Sequence, residues 1–173
     1  LLKETPRVLA WAPFDAQEFG LGAVLCLGDV VVEVKLPSKK PKSRFEPFPD
    51  LPEARRGFPI RAAKVLSECF RTGADARALP HQIPSVTPYT RSVLEACLRI
   101  PHGGTWSYAK LAEEAGNPGA IRATGSVMAR NPLALIIPCH RVIRSDGKIG
   151  NYGAGQEMKQ HLLDLESGKR ITF

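Results

Sequence analysis

Leu111-Ala112-Glu113-Glu114-Ala115-Gly116-Asn117-Pro118-Gly119-Ala120-Ile121-Arg122-Ala123-Thr124-Gly125-Ser126-Val127-Met128-Ala129-Arg130 reads as two short helices around a tight turn. Ser107 is placed to cap the first helix, and Tyr108, Leu111, Ala112 and Ala115 line one face of it. Gly116-Asn117-Pro118-Gly119 turns the chain, and the second helix runs from Ala120 to Ala129. Ala112 stands four residues before Gly116. Its small side chain lets a second helix approach, and the glycine lets the backbone turn, as a helix-turn-helix requires. Ala123, Gly125, Ser126 and Ala129 leave the second helix thin enough to lie against a DNA backbone. Between Ala115 and Ser145 there is no acidic residue, while Arg122, Arg130, Arg141 and Arg144 supply charge that attracts a duplex. An ordinary helical hairpin satisfies the same pattern, because helix-turn-helix patterns also arise by chance.

Working outward, Thr87-Pro88 is an N-cap followed by proline at the first helical position, and Val93, Leu94, Cys97 and Leu98 form a buried stripe that ends before Pro101. Residues 79–88 carry three prolines and read as a linker. Ile60 to Arg71 is a helix with Ile60, Ala63, Val65 or Leu66, and Phe70 inward and Gly73 as its stop. Pro37 to Pro59 holds six prolines and the cluster Lys39-Lys40-Pro41-Lys42, and reads as a solvated loop in preference to a DNA contact. Val8 to Trp11 is a short strand, and Leu21–Leu27 and Val30–Leu36 form a hairpin around Gly28-Asp29. The expected class is α+β. A small N-terminal strand-rich domain spans 1–79, a linker 80–86, and a helical C-terminal domain 87–173.

The chain has 173 residues, 43% of them hydrophobic, which excludes a disordered protein. No apolar run approaches the ~20 residues that span a bilayer. Leu1-Leu2-Lys3-Glu4 shows neither the basic start nor the apolar run of a secretory leader. Lys and Arg number 24 against 17 Asp and Glu, a net +7 that points to an anionic partner, nucleic acid first. The excess is spread: 13 basic against 10 acidic residues before residue 85, and 11 against 7 after it. The acid-free segment therefore locates a DNA face better than the total does.

Cys26, Cys69, Cys97 and Cys139 are far apart and form no C-x-x-C pair. The first three sit among apolar neighbours as core residues, and a reducing, cytoplasmic setting follows. Cys139 differs. It closes the run Leu133-Ala134-Leu135-Ile136-Ile137-Pro138 and precedes His140-Arg141-Val142-Ile143. The run reads as a strand, so adjacent side chains point to opposite faces and His140 reaches the sulfur through a water. A thiolate nucleophile needs nearby positive charge and a base, and both are offered here. A buried cysteine with incidental polar neighbours is the plainer alternative.

Ile137-Pro138-Cys139-His140-Arg141-Val142, preceded by Asn131-Pro132 and followed by Gly150-Asn151-Tyr152, closely resembles the methylated-DNA–protein-cysteine methyltransferases, also called O(6)-alkylguanine-DNA alkyltransferases. The resemblance is dense over about residues 87 to 168 and is one of layout before that. It implies an RNase H-like N-terminal domain and a winged helix-turn-helix C-terminal domain. It implies direct-reversal repair: Cys139 takes the alkyl group from the 6-oxygen of a flipped-out guanine, once per molecule. By the same resemblance His140 accepts the thiol proton through a water, Glu166 orients His140, and Asn131 ties the helix-turn-helix to the active-site turn. Tyr108 crowds a phosphate and protonates the leaving guanine. Arg122 fills the vacated stack, with Ala123, Gly125, Ser126, Arg130 and Arg141 also on the DNA. Pro138, Val142, Tyr152 and Gly153 line the base pocket, with the carbonyls of Cys139 and Val142 accepting from the base's amine. Many family members carry Ser where this chain has Gly153. No cofactor and no metal are expected, because Cys26, Cys69 and His81 do not make the zinc site known in some relatives. His102 and His161 read as incidental. The expected partner is double-stranded DNA containing alkylated guanine, met by a monomer away from any membrane. Singly, Tyr108 also reads as a core tyrosine, Arg122 as a surface charge and Glu166 as a solvated residue near Lys169 and Arg170. The alternative function is a non-enzymatic alkylguanine-DNA-binding module, which would leave Cys139 without a use.

Overall fold

The computed structural model describes residues 8–37 and 47–168. The cluster Lys39-Lys40-Pro41-Lys42, the first seven residues, and Lys169 and Arg170 lie outside the described residues. Three antiparallel strands open the chain: β1 Leu9–Asp15, β2 Leu21–Leu27 and β3 Val30–Lys35, in the order β1-β2-β3. The β2–β3 turn is Gly28-Asp29, with Gly28 at φ 60°. β1 is longer than the apolar run suggested because Pro13 still pairs with Ala23 and Phe14 with Gly22. Phe14 needs that glycine: a Cβ on Gly22 would sit 2.1 Å from its ring. The ring stacks instead on Phe70 at 6.2 Å.

Phe70 belongs to α1 (Phe58–Thr72), which covers one face of the sheet. Its buried stripe is Phe58, Ala62, Ala63, Leu66, Cys69 and Phe70, turned slightly from the expected one, so that Ile60 and Val65 are only half-buried. Gly73 ends the helix in the left-handed conformation, its N–H donating to the Cys69 carbonyl. The opposite face of the sheet carries a smaller cluster of Trp11, Ala23, Leu25 and Phe48.

The C-terminal half is helical. α2 (Pro88–Leu98), α3 (Tyr108–Glu114) and α4 (Ile121–Ala129) pack together, and α5 (Gln156–Glu166) crosses back to α1. Thr87 and Ser107 cap α2 and α3 by accepting from Thr90 N and Lys110 N. Ala112 is fully buried and Gly116 has φ 86°, so the α3–α4 turn closes as its composition requires. Two short parallel strands, β4 (Trp106–Ser107) and β5 (Val142–Ile143), complete this half.

One buried cluster runs through both halves, from Ala12 to Leu162. Residues 80–82 are not a free tether. Val31 N donates to the Pro80 carbonyl and Gln82 N to the Val31 carbonyl, so the linker lies along the outer edge of β3. Val34 N donates to the Pro132 carbonyl beside it. The N-terminal sheet thus holds the chain just ahead of the cysteine.

Candidate active site

Residues 133–137 do not form the expected strand. Ile137 N donates back to the Leu133 carbonyl, and Leu135 takes φ 72°, so the run is a compact buried turn. Five consecutive apolar residues specify burial but not extension. Asn131 closes the turn from both sides: its Nδ2 donates to the Ile137 carbonyl at 2.8 Å, and its Oδ1 accepts from Leu133 N at 3.0 Å. Cys139–Arg141 then form a 3-10 turn, capped by Pro138, whose carbonyl accepts from Arg141 N.

Cys139 is buried, as are His140 and Arg141. Burial raises the Cys139 thiol, while Asn131, Tyr152 and Lys159 favour the thiolate. Tyr152 Oη lies 4.0 Å from Sγ. His140 does not touch the sulfur. Its Nε2 donates to Glu166 Oε1 at 2.8 Å, and its Nδ1 is buried with no hydrogen-bond partner among the described residues. The carboxylate fixes the tautomer and leaves Nδ1 as the proton acceptor. Burial lowers the basicity of His140, and Glu166 opposes that effect. Glu166 is held down to about 2 by His140 and Arg141, against the cost of its own burial.

Arg141 is not a DNA contact. Its side chain is 1% exposed, donates to both oxygens of Glu166 at 2.7 and 2.9 Å, and donates to the Ile100 carbonyl at 3.1 Å. A buried guanidinium must be spent on buried acceptors. Arg144 pairs with Asp146 at 2.9 Å, just beyond the acid-free segment. The positive face therefore rests on Arg122 on α4 and Arg130 at its C-terminal cap, both exposed along with Ala123 and Ser126. Gly125 faces inward: a Cβ there would meet the Tyr108 ring at 4.0 Å. Gly153 is exposed and open. Val142 is buried, and its carbonyl already accepts from Lys159 Nζ at 2.6 Å, leaving one lone pair for a base.

Lys159 is the residue the sequence reading missed. It is fully buried on α5, and Nζ lies 5.8 Å from the ring centres of both Tyr108 and Tyr152. Burial lowers it to about 8. The signal was present: Lys159 stands seven residues before Glu166, two helical turns along the face that also carries Leu162. His102 and His161 are not incidental either. His102 Nε2 donates to the Gly73 carbonyl at 2.7 Å and His161 Nε2 to the Phe70 carbonyl at 2.9 Å, so both join the C-terminal half to the end of α1. Among the described residues no three His, Cys, Asp or Glu side chains gather to hold a metal, and no helix is long and apolar enough to cross a membrane.

Residues 88–168 match the family model for the 6-O-methylguanine DNA methyltransferase DNA-binding domain. The methylated-DNA–protein-cysteine methyltransferase of Methanosarcina barkeri is 38% identical over 153 residues, covering 88% of this chain and 96% of that protein. The chain belongs to the methylated-DNA–protein-cysteine methyltransferase family. The Methanosarcina acetivorans member is 46% identical over 150 residues, 86% of this chain and 94% of its own. The Mycobacterium tuberculosis O6-methylguanine methyltransferase structure superposes with a TM-score of 0.78 at 29% identity, covering 96% of this chain and 97% of that one. A Mycobacterium tuberculosis relative solved in complex with DNA gives 0.76 at 30% identity, over 92% of this chain and 94% of that one. Within this methyltransferase family fold, the cysteine, the His140–Glu166 pair and the exposed face of α4 belong to one half of the molecule, braced by the other.

Proposed function

We propose that this chain repairs DNA by moving the methyl/alkyl group from the 6-oxygen of guanine onto Cys139, once per molecule. The observation that carries the reading is a buried thiol next in the chain to a buried histidine whose Nε2 is held by a carboxylate and whose Nδ1 has no hydrogen-bond partner among the described residues. The thiol proton passes through a water to His140 Nδ1, and Glu166 stabilises the imidazolium. Sγ attacks the alkyl carbon, the S–C bond forms, and the C–O bond breaks. Tyr108 gives a proton to the leaving guanine, and the proton on His140 balances the exchange. Tyr152 and Lys159 favour the thiolate through the attack.

The exposed face of α4 meets the duplex. Arg122 fills the stack when the base leaves it, while Ala123, Ser126 and Arg130 lie along the backbone. Flipping costs a few kcal/mol, on the order of the stacking lost. Pro138, Val142, Tyr152 and Gly153 frame the base. Asn131 sets the turn that carries the cysteine. The partner is double-stranded DNA carrying an alkylated guanine, met by one copy of the chain inside a reducing cell, where the four free cysteines stay reduced. The division into 1–79, a linker 80–86 and 87–173 belongs to the same reading, supported by the start of the matched family segment at residue 88.

The test mixes the protein with duplex DNA carrying labelled O6-methylguanine and maps the label. The expected result is one label per molecule, on Cys139. Many turnovers per molecule, or DNA binding without label, would overturn the reading. Cys139→Ala is expected to bind DNA and transfer nothing.

A further inference from the structure

A line of charged side chains runs from the reaction centre into the N-terminal half. His140 Nε2 donates to Glu166, and Glu166 accepts from Arg141 Nε and Nη2. Arg141 Nη2 lies 3.7 Å from Asp75 Oδ1, and Asp75 Oδ2 is 2.6 Å from Arg77 Nη2. Arg77 Nη1 and Arg141 Nη1 both donate to the Ile100 carbonyl, at 2.9 and 3.1 Å. Asp75 and Arg77 follow α1, whereas His140, Arg141 and Glu166 come from the active-site turn and α5. The inner three side chains are at most 5% exposed, so their charges are poorly screened.

We propose that Asp75 is a positioning residue for the transfer to Cys139, facing Arg141 Nη2, the nitrogen that also donates to Glu166, so that Glu166 stays aligned on His140. The inference rests on the proposed function. Glu166 has two claimants, the imidazole and the guanidinium. A second carboxylate at the same Nη2 shares the guanidinium's charge and keeps it from drawing Glu166 off the histidine. The four charges beyond His140, Glu166 and Asp75 against Arg141 and Arg77, cancel. Removing Asp75 leaves a positive excess next to a buried base.

The other groups facing this line do not supply the missing charge. His140 faces Lys159 of α5 as well as Glu166 and its neighbour Arg141. Arg141 also faces the thiols of Cys69 on α1 and Cys97 on α2, and Asp75 faces Cys69. Burial raises both thiols, to about 12 for Cys69, so neither carries charge at neutral pH.

The experiment is single-turnover transfer from the labelled O6-methylguanine duplex, at saturating DNA, from about pH 5 to 9 where histidine titrates. The final amplitude counts folded, competent molecules, and the rate reports the chemistry. His140 must be neutral to accept the proton, so the acid limb of the rate follows it. Asp75→Asn is expected to reach full amplitude at about a tenth of the parent rate, with the acid limb moved to lower pH. Asp75→Glu is expected to restore most of the rate. Arg77→Gln removes positive charge instead, and is expected to move the acid limb to higher pH even if Asp75→Asn folds poorly. A parent rate and limb in both Asp75→Asn and Arg77→Gln would overturn the inference. So would reduced amplitude with an unmoved limb, the mark of a purely structural role. Absence of label on the parent's Cys139 would overturn the proposed function itself, and this inference with it.

Discussion

Burial favours the protonated form of Cys139, while Asn131, Tyr152 and Lys159 around it oppose that shift. Lys159 is the cation among them. Its own burial brings it down to about 8 from an ordinary 10.5. Lys159→Met preserves length and packing and is expected to slow transfer by about tenfold or more while leaving DNA affinity unchanged, in single-turnover and binding assays. In the parent, the rise of rate with pH is expected to flatten above about 8, where Lys159 loses its proton. Stability moves the other way. Between about 8 and 10.5 the unfolded chain holds the Lys159 proton and the folded chain does not, so this contribution rises with pH there. Chemical denaturation at pH 8 and 10 should show the parent gaining stability relative to Lys159→Met, because the raised thiols, which act in the opposite direction, are common to both.

At the scale of elements, α4 carries a residue its own stability does not want. Arg122 stands in the first turn, where the helix dipole favours anions, and no acidic residue shares that turn. The same end of a helix attracts phosphate. Arg122→Ala is therefore expected to leave the melting temperature unchanged or slightly higher. It should slow transfer from duplex DNA, where a base must be flipped, and spare transfer from the free modified base. Equal slowing on both substrates would show that Arg122 does not act in flipping. The capped starts of α2 and α3, the glycine stop of α1 and the α3–α4 turn were legible because each depends on a side chain or a glycine at one position. The turn at 133–137 was not. Its shape comes from Asn131 replacing backbone partners and from Leu135 at positive φ, neither of which an apolar run announces.

At the scale of the whole molecule, Glu166 ties α5 to the active-site turn, whose Arg141 faces Asp75 of the other half, and it contributes to the acid limit of stability. Its carboxyl titrates near 4.5 when unfolded and near 2 when folded. The stabilisation is complete above 4.5 and is lost as pH falls through 2. Glu166→Gln strands Arg141 and His140 and is expected to cost about 3 kcal/mol or more at pH 7. Its stability should change less than the parent's between pH 4.5 and 2, read by circular dichroism in denaturant. One buried cluster and the ties from His102, His161 and Arg141 to the end of α1 predict a single unfolding transition. Two separated transitions would count against a shared core.

The sequence by itself determined the strand hairpin, the helix limits and the helix-turn-helix, and singled out Cys139 as the candidate nucleophile, because these follow from periodicity, caps and a short motif of specific chemistry. The tertiary structure decided which charges face water. Arg122 and Arg141 look alike in the sequence, yet one is exposed on α4 and the other is buried between Glu166 and Asp75. Lys159 and Asp75 reach the centre only because α5 crosses back to α1 and the chain after α1 meets the active-site turn. Burial is a property of packing between distant segments, and it turns a solvated charge into one that must be paired.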